Sequence, residues 1–382
     1  MYNIKLFIRL IAHSFSLNRK SLMFISVKRV LSILIFLPLF LCTLIVNRIF
    51  MLLDEVFFSQ YHRVEIKKAA FIIGVPRSAT TYLFSILFRD RKNFHGFKLW
   101  ELVFAPSVCQ KYLFLAVRAV DRTIGSPLYR LSLVADRAIF GKFVNIHDIG
   151  LSKPEEDEAL FLYNLSSLFL FYFWPEPKIM DCIFYHDQKL PDKVKRRNIN
   201  FYYRCIQRHK YVFDRNNEKY FISKSPTFIP RMKSIAERFV DARFIYPLRT
   251  PYSTIPSTIS LNAHIMSGFC RLPEEYPFIT QTRDFVLEWY VVAEQTMRED
   301  IKERGMTVLY DRITQDPGGL LTDLYSFLDI DGTGRVSSDS DYRQHGKEYI
   351  SRHIYPKDLG IDEKLIKEKL EGVLPAGLLI RK

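Results

Sequence analysis

The stretch FIIGVPRSATTYL, residues 71–83, joins an apolar run, a Gly-x-Pro turn and a hydroxyl-rich segment with helical apolar spacing. This order is typical of a β-strand followed by a tight turn and the start of a helix. Such a turn directs successive backbone amides into one concavity, where the positive end of the helix dipole supports them. Arg77 and the hydroxyls of Ser78, Thr80 and Thr81 add further donors. The stretch therefore predicts a phosphate-binding loop, with an ordinary capped strand-turn-helix as the plainer alternative.

A second motif with the same chemistry lies further along the chain. Arg249 directly follows the apolar run RFIYPL, and Ser257 stands eight residues later in a helix-like stretch. Two phosphate sites at the carboxyl ends of strands in one sheet would hold a ligand with two separated phosphates. A nucleoside triphosphate is disfavoured, because GVPRSATT, residues 74–81, lacks the G-K-[ST] end of a Walker loop.

The apolar runs alternate with helical patterns after residue 68. The predicted strands within 69–75, 242–250 and 306–313 are each followed by a helical stretch. This alternation predicts an α/β fold, in which a P-loop-like parallel sheet is flanked by helices. Residues 88–220 carry few strand signals, and we interpret them as a helical insertion that shapes an acceptor pocket.

The N-terminal part of the chain has a different composition. VLSILIFLPLFLCTLIVN, residues 30–47, contains no charge and would span about 27 Å as a helix, close to the thickness of a bilayer core. We therefore divide the chain into a membrane-associated segment, residues 1–52, and an α/β domain, residues 53–382. Pro38 permits a segment that dips into the membrane instead of crossing it.

The bulk composition narrows the possible partners. The net charge of +14 suits a polyanionic ligand or an anionic membrane surface. No zinc-finger spacing or RNA-binding signature is present, so nucleic acid is not expected as a partner. The five cysteines are scattered without a CxxC pair, which argues against a disulfide framework and a metal site.

Taken together, these motifs resemble the sulfotransferase family. IIGVPRSATTYL is similar to the 5′-phosphosulfate loop, usually written G-x-P-R-S-G-T-T, and YPLRTPYSTIPSTISL is similar to the 3′-phosphate motif. Further blocks resemble, in order, the membrane-associated and bacterial branch, which is closer to tyrosylprotein sulfotransferases than to cytosolic ones: HDIGLSKPEEDEALF, ISKSPTFIPRM, VLYDRITQDPGGLLTDLYSFL and HIYPKDLGID. The resemblance extends from about Leu53 to the C-terminus.

The resemblance implies the donor 3′-phosphoadenosine 5′-phosphosulfate (PAPS) and in-line sulfuryl transfer to a hydroxyl or amine, without a metal. The acceptor is left open among lipids, glycans and proteins. The residues matching the 5′-phosphate cradle are Arg77, Ser78, Ala79, Thr80 and Thr81, with Arg77 also at the reacting group. Arg249 and Ser257 match the 3′-phosphate clamp, and Lys224 matches a lysine that neutralises charge on the transferred sulfuryl group.

Ala79 departs from the family pattern, which has glycine there. If the position requires a positive φ, alanine costs about 1 kcal/mol and could loosen donor binding. An inactive member of the fold and an ATP-dependent P-loop phosphotransferase are the alternative functions.

The general base is predicted to be Glu101, which lies 24 residues beyond Arg77, where related membrane enzymes place a catalytic glutamate. Its apolar neighbours are expected to raise its pKa. The rival candidates are His95 and the acidic run at residues 155–158.

The resemblance also bears on location. Basic residues before the apolar run favour a cytosolic N-terminus. A single-pass helix would then put the domain in a lumen, as in the Golgi of a eukaryote. A monotopic segment would keep it on the cytosolic side, as at a bacterial inner membrane.

Overall fold

The computed structural model describes residues 2–140, 149–273, 276–331 and 363–380. Within these ranges the strands form one parallel sheet in the order β2-β3-β1-β4-β5. The strands are β1 Ala69–Ile72, β2 Phe94–His95, β3 Tyr220–Lys224, β4 Arg243–Leu248 and β5 Gly305–Leu309. This arrangement confirms the predicted α/β class with a parallel sheet.

Helices precede, separate and follow the strands. In chain order they are α1 Tyr2–Ala12, α2 Val27–Phe57, α3 Thr80–Arg89, α4 Leu99–Phe104, α5 Val108–Thr123, α6 Pro127–Phe140, α7 Leu170–Phe173, α8 Pro177–Phe184, α9 His186–Lys189, α10 Asp192–Phe213, α11 Met232–Arg238, α12 Pro251–Ser267, α13 Ile279–Glu299, α14 Tyr310–Gln315, α15 Pro317–Phe327 and α16 Glu363–Leu370. Short 3-10 segments lie at Ser59–Arg63, Asp157–Asn164, Pro226–Arg231 and Ala376–Leu379.

Successive side chains of β1 point to opposite faces of the sheet. Both faces are buried, as expected for a parallel sheet with helices on each side. Ala69 and Phe71 belong to one cluster of buried apolar residues, whereas Ala70 and Ile72 belong to a second. The register aligns Ile72 with Lys224 of β3 and with Ile245 of β4. The carboxyl ends of these three strands therefore meet at one edge of the sheet.

Two of the predicted segments differ in detail from the elements that the structure shows. The apolar run at 306–313 is a strand only as far as Leu309 and continues as helix α14. The region 88–220 is largely helical, as predicted, but its residues Phe94 and His95 add a strand beside β3.

Helices α1 and α2 pack into the larger core cluster. Phe7 and Phe40 are buried there with ring centroids 5.7 Å apart, and Trp174 lies 5.4 Å from Phe7. Among the described helices, α2 is long and apolar enough to cross a membrane by length and composition. It runs through the predicted domain boundary at residue 52 without a break.

Candidate active site

The loop between β1 and α3 is held in a narrow turn. Gly74 approaches the backbone of β4 so closely that a Cβ there would lie 2.7 Å from the Pro247 carbonyl oxygen and 2.7 Å from Ser78 Oγ. The buried Ser78 hydroxyl donates to the carbonyl of Val75 at 2.7 Å. Ser78 therefore fixes the loop from within.

Two residues of the loop adopt the left-handed conformation. Arg77 has φ 72° and Ala79 has φ 69°. Ala79 is also the N-cap of α3, and it accepts the amide of Leu83 at 3.1 Å. The position at which this chain departs from the family pattern thus does require a positive φ, the condition under which alanine is strained.

The two predicted phosphate motifs meet in space. Arg77 Nε donates to Ser257 Oγ at 2.9 Å, and a terminal nitrogen of Arg249 donates to the Arg77 carbonyl at 2.9 Å. The Arg249 guanidinium also stacks on the ring of Tyr310, 4.0 Å from its centroid. Because α12 begins at Pro251, its N-terminal amides and dipole face the same edge of the sheet.

Lys224 ends β3 next to this loop. Its side chain is buried, and Nζ donates to Thr81 Oγ1 at 3.3 Å and to Glu156 Oε1 at 2.8 Å. Glu155 approaches the same ammonium at 3.9 Å. A cation and two carboxylates are thereby placed directly beside the start of α3.

The acidic run at 155–158 divides into two pairs. Glu155 and Glu156 contact Lys224, whereas Asp157 and Glu158 point into the core. Asp157 accepts the Tyr202 hydroxyl at 2.5 Å, and burial raises the pKa of Asp157 to about 7. The first pair therefore lies beside Lys224 at the loop, whereas the second pair belongs to the core.

Glu101 is the first member of a buried series of side-chain hydrogen bonds and ion pairs, which we call the polar network. Its Oε2 pairs with His209 Nδ1 at 2.7 Å, and His209 Nε2 contacts His95 Nδ1 at 2.9 Å. His95 Nε2 in turn lies 3.3 Å from Asp214, which pairs with Lys210 at 2.6 Å. Helix α10 supplies two members of this polar network, His209 and Lys210.

The pKa of Glu101 in this polar network is shifted in the direction opposite to the prediction. Burial works to raise the pKa of Glu101, but the charge and hydrogen bond of His209 and the charge of Lys111 outweigh it and hold the pKa below its ordinary value. The expected rise is therefore reversed. Burial lowers the pKa of His95 to about 4, and its side chain is largely enclosed, so it does not act as a free surface base.

Sequence reasoning missed two partners of the site. Tyr310 follows β5 as Arg249 follows β4, so its position after a strand end was an available signal. His209 gives no such signal, because it lies inside a long helix of the insertion and is far from Glu101 in sequence. The sequence block HIYPKDLGID, residues 353–362, lies outside the described residues, as does His147, the first residue of the block HDIGLSKPEEDEALF. In the described part of the chain, no group of three or more His, Cys, Asp or Glu side chains could hold a metal ion.

Comparison with known proteins places these observations in a family. The sequence model of the sulfotransferase family, Sulfotransfer_3, matches residues 69–333. Among curated proteins, the chain is 26% identical over 276 residues to the omega-hydroxy-beta-dihydromenaquinone-9 sulfotransferase Stf3 of Mycobacterium bovis. The match covers 68% of this chain and 62% of that relative, so the chain spans less than two thirds of the relative's length.

Solved structures share the fold at lower identity. Sulfotransferase STF1 from Mycobacterium tuberculosis superposes with a TM-score of 0.63 at 17% identity, over 88% of this chain and 86% of that one. Sulfotransferase STF9 from Mycobacterium avium gives a TM-score of 0.60 at 15% identity, over 82% and 77% of the two chains.

Proposed function

Because the chain belongs to the sulfotransferase family, we propose that it transfers a sulfuryl group from PAPS to a hydroxyl group of a membrane lipid. The observation that carries the proposal is the contact between the two phosphate motifs, with Arg77 Nε 2.9 Å from Ser257 Oγ. It supports one continuous site for a nucleotide that carries phosphate on both its 3′ and 5′ sides.

The donor fits the chemistry of the residues present. The loop at 76–81 and the first turn of α3 offer backbone amides, which have no acceptor within the helix, to a 5′-phosphosulfate. Arg249 and Ser257 offer a guanidinium and a hydroxyl to the 3′-phosphate. PAPS supplies the activated sulfuryl group, and the chain's own residues bind and orient it.

Lys224 has the position of an electrostatic catalyst. Its ammonium lies 3.3 Å from Thr81 Oγ1, at the start of the helix that would receive the 5′-phosphosulfate. There it would neutralise negative charge as the bond between sulfur and the bridging oxygen breaks and a bond from sulfur to the acceptor oxygen forms. A preorganised cation in a buried setting does this without reorganising solvent.

The geometry favours Glu156 over Glu101 as the base that takes the acceptor proton. Glu156 lies 2.8 Å from Lys224 Nζ and is partly exposed, so an acceptor hydroxyl can reach it. Glu101 is buried and already paired with His209. A general base must lie within hydrogen-bond reach of the proton that it abstracts.

Two matched substitutions test this assignment. We expect Glu156→Gln to lower kcat by about 100-fold or more while the affinity for 3′,5′-ADP changes little. Glu101→Gln should act mainly on stability, since it leaves His209 without its partner. A large fall in kcat for Glu101→Gln with normal stability, and near-normal turnover for Glu156→Gln, would return the base to Glu101.

A lipid acceptor is supported by two observations. The curated relative is described as a sulfotransferase of omega-hydroxy-beta-dihydromenaquinone-9. In this chain, the loop before Glu155 is tied to the apolar helix α6, because Leu151 donates its amide to Asp136 at 2.7 Å. We therefore propose that an apolar acceptor approaches from the side of α6, whose contact at Leu151 lies five residues before Glu156.

The test is transfer of radiolabelled sulfate from PAPS into three acceptor pools: membrane lipids, glycans and tyrosine-containing peptides. We expect label in the lipid fraction, lost in Lys224→Ala. Label in glycans or peptides alone would overturn the lipid assignment and leave the sulfotransferase proposal standing.

The alternative functions are separated by ligand-induced stabilisation. A PAPS enzyme should be stabilised by 3′,5′-ADP, and a phosphotransferase by ATP with Mg²⁺. Stabilisation by neither would indicate an inactive scaffold.

A further inference from the structure

Helix α2 has two faces with opposite roles along its length. On one face Ile33, Phe40, Asn47 and Asp54 are buried, each seven residues from the next. On the other face Leu31, Leu34, Ile45, Leu52 and Val56 are exposed large apolar side chains. The exposed stripe extends over nearly all of a helix of 31 residues, about 46 Å long.

The buried face is bonded to the α/β domain at several levels. Near the start of α2, Arg29 donates to the carbonyl of Phe173 at 2.7 Å. In the middle, the Phe36 ring stacks on the Phe173 ring. Further on, Asn47 donates to the carbonyl of Val103 at 3.0 Å, and Asp54 pairs with Arg208 at 2.8 Å. A helix that crossed a bilayer would draw these parts of the domain into the hydrocarbon with it, so the contacts exclude a free single span.

Helices α5 and α6 extend the exposed apolar surface. In α5, Leu113, Val117 and Val120 are exposed at helical spacing. Helix α6 contains no buried residue, and even its large apolar side chains Leu131 and Val134 are 64% and 63% exposed. An isolated helix of 14 residues is marginal in water. An apolar medium around α6 would supply the burial that the described residues of the chain do not.

Helix α6 is joined to α5, because the Leu128 amide donates to Asp121 at 2.8 Å. Asp54 in turn links α5 to α2. Its carboxylate accepts the amides of Val108 and Cys109 at 2.9 Å and so satisfies the first two amides of α5, next to the N-cap residue Ser107. The rings of Phe58 and Tyr112 lie 5.4 Å apart at the same junction. The apolar surfaces of α2, α5 and α6 therefore adjoin, and we call them together the apolar face.

A basic surface borders α2. Helix α10 exposes Lys193, Arg196, Arg197 and Arg204 around a shallow groove. It is joined to α2 by Arg48, whose guanidinium lies 5.1 Å from the Phe201 ring centroid. Basic side chains beside an apolar surface match the layering of an anionic bilayer, in which headgroups lie above hydrocarbon.

We propose that the apolar face inserts into one leaflet of an anionic bilayer with α2 lying in the plane of the membrane. The basic groove of α10 then contacts the headgroups. The protein is monotopic, and both ends of α2 stay on the same side of the membrane.

Vesicle flotation of the full chain tests the face without depending on activity. The variant Leu34→Gln/Leu52→Gln changes two side chains that are 63% and 67% exposed on the apolar face. Its matched control is Val240→Gln/Ile380→Gln, whose side chains are 66% and 63% exposed elsewhere. Stabilisation by 3′,5′-ADP serves as the check of folding for both variants.

On vesicles of phosphatidylglycerol and phosphatidylcholine, the first variant should bind about 30-fold more weakly or worse, because two leucines lose their transfer from water. The control should bind as the parent does. Arg196→Gln/Arg197→Gln should lower the affinity for these anionic vesicles about fivefold per residue. The affinity for neutral vesicles should not change. Equal binding by the leucine variant and the control would overturn the proposal, as would a soluble dimer that does not bind vesicles.

Labelling distinguishes the in-plane from the spanning arrangement. Cysteines are placed before and after α2, as Asn18→Cys and as Ser59→Cys, with Cys42, Cys109 and Cys182 replaced by serine. In sealed membranes, a membrane-impermeant maleimide should label both positions from the same side. Labelling of the two positions from opposite sides would contradict the proposal.

Discussion

Replacing Ala79 by glycine should stabilise the protein without changing how tightly it binds nucleotide. Ala79 has φ 69° and ψ 20°, a left-handed conformation that disfavours a Cβ. Glycine relieves that strain, and we expect a net gain of about 1 kcal/mol after its greater freedom in the unfolded chain is subtracted. For a chain of 382 residues, this corresponds to a rise in Tm of about 1 °C, so urea unfolding at constant temperature is the better assay.

Contacts within the chain hold the loop, since the Ser78 hydroxyl donates to the Val75 carbonyl and Gly74 lies against β4, so we expect the same strain with and without bound nucleotide. The Kd for 3′,5′-ADP should therefore stay within about twofold. If the loop became left-handed only in the complex, the same 1 kcal/mol would appear as about fivefold tighter binding.

The matched control is Ala116→Gly, on the exposed surface of helix α5. Glycine in a helix interior costs about 1 kcal/mol, so the two alanine-to-glycine changes should move the free energy of unfolding in opposite directions. A loss of stability in both would refute the left-handed assignment of Ala79.

Three further predictions concern charged groups. Lys224→Ala should lower kcat by about 100-fold or more with little change in the Kd for 3′,5′-ADP, measured by steady-state kinetics and calorimetry; a proportional rise in both KM and Kd would make Lys224 a binding residue only. Burial raises the pKa of Asp157 to about 7, so the folded state retains this proton while the unfolded state releases it near its ordinary value. Its stabilising contribution is thus lost as pH rises from about 4 to about 7, and the Tm of Asp157→Asn relative to the parent should climb over that range and then level off; a constant difference would show that Asp157 stays ionised. Asp54→Ala removes the acceptor of the first two amides of α5 and leaves buried Arg208 with Glu55 as its remaining carboxylate partner, and the free energy of unfolding should fall by about 3 kcal/mol; a change below about 1 kcal/mol would mean that solvent reaches the pair.

The strands and helices that carry the phosphate motifs could be predicted because local pattern determines them. In β1 and β4 a short apolar run ends at a turn residue, and the helix that follows shows its own period. The contact between Arg77 and Ser257 could not be predicted from local pattern alone, since it depends on β1 and β4 being neighbours in the sheet. The repeated strand-end motif predicts two sites at one edge of the sheet, but it does not predict that β1 and β4 are neighbours.

The environment of Glu101 could not be predicted in the same way. Its local sequence is apolar, which correctly indicates burial but says nothing of His209 on α10. That one partner reverses the expected direction of the pKa. Ionisation depends on contacts between distant segments, and a short window of sequence does not contain them.

Helix α2 carries a second pattern besides its apolar composition. The apolar run indicates a membrane segment by composition, yet Asn47 and Asp54 continue the seven-residue spacing of Ile33 and Phe40. Polar residues at that spacing indicate a face packed against protein. The helix thus combines a buried face with an exposed apolar one.

The measurement that tests the central claim most directly is the affinity of the parent and of Arg249→Ala for 3′,5′-ADP and for 5′-AMP, by calorimetry. A charged hydrogen bond contributes about 1.5–3 kcal/mol, so the variant should bind 3′,5′-ADP about 10- to 150-fold more weakly. Binding of 5′-AMP, which has no 3′-phosphate, should fall far less, through the lost contact of Arg249 with the Arg77 carbonyl alone. Equal losses for both nucleotides would contradict the account, because Arg249 would then support the loop without holding a second phosphate.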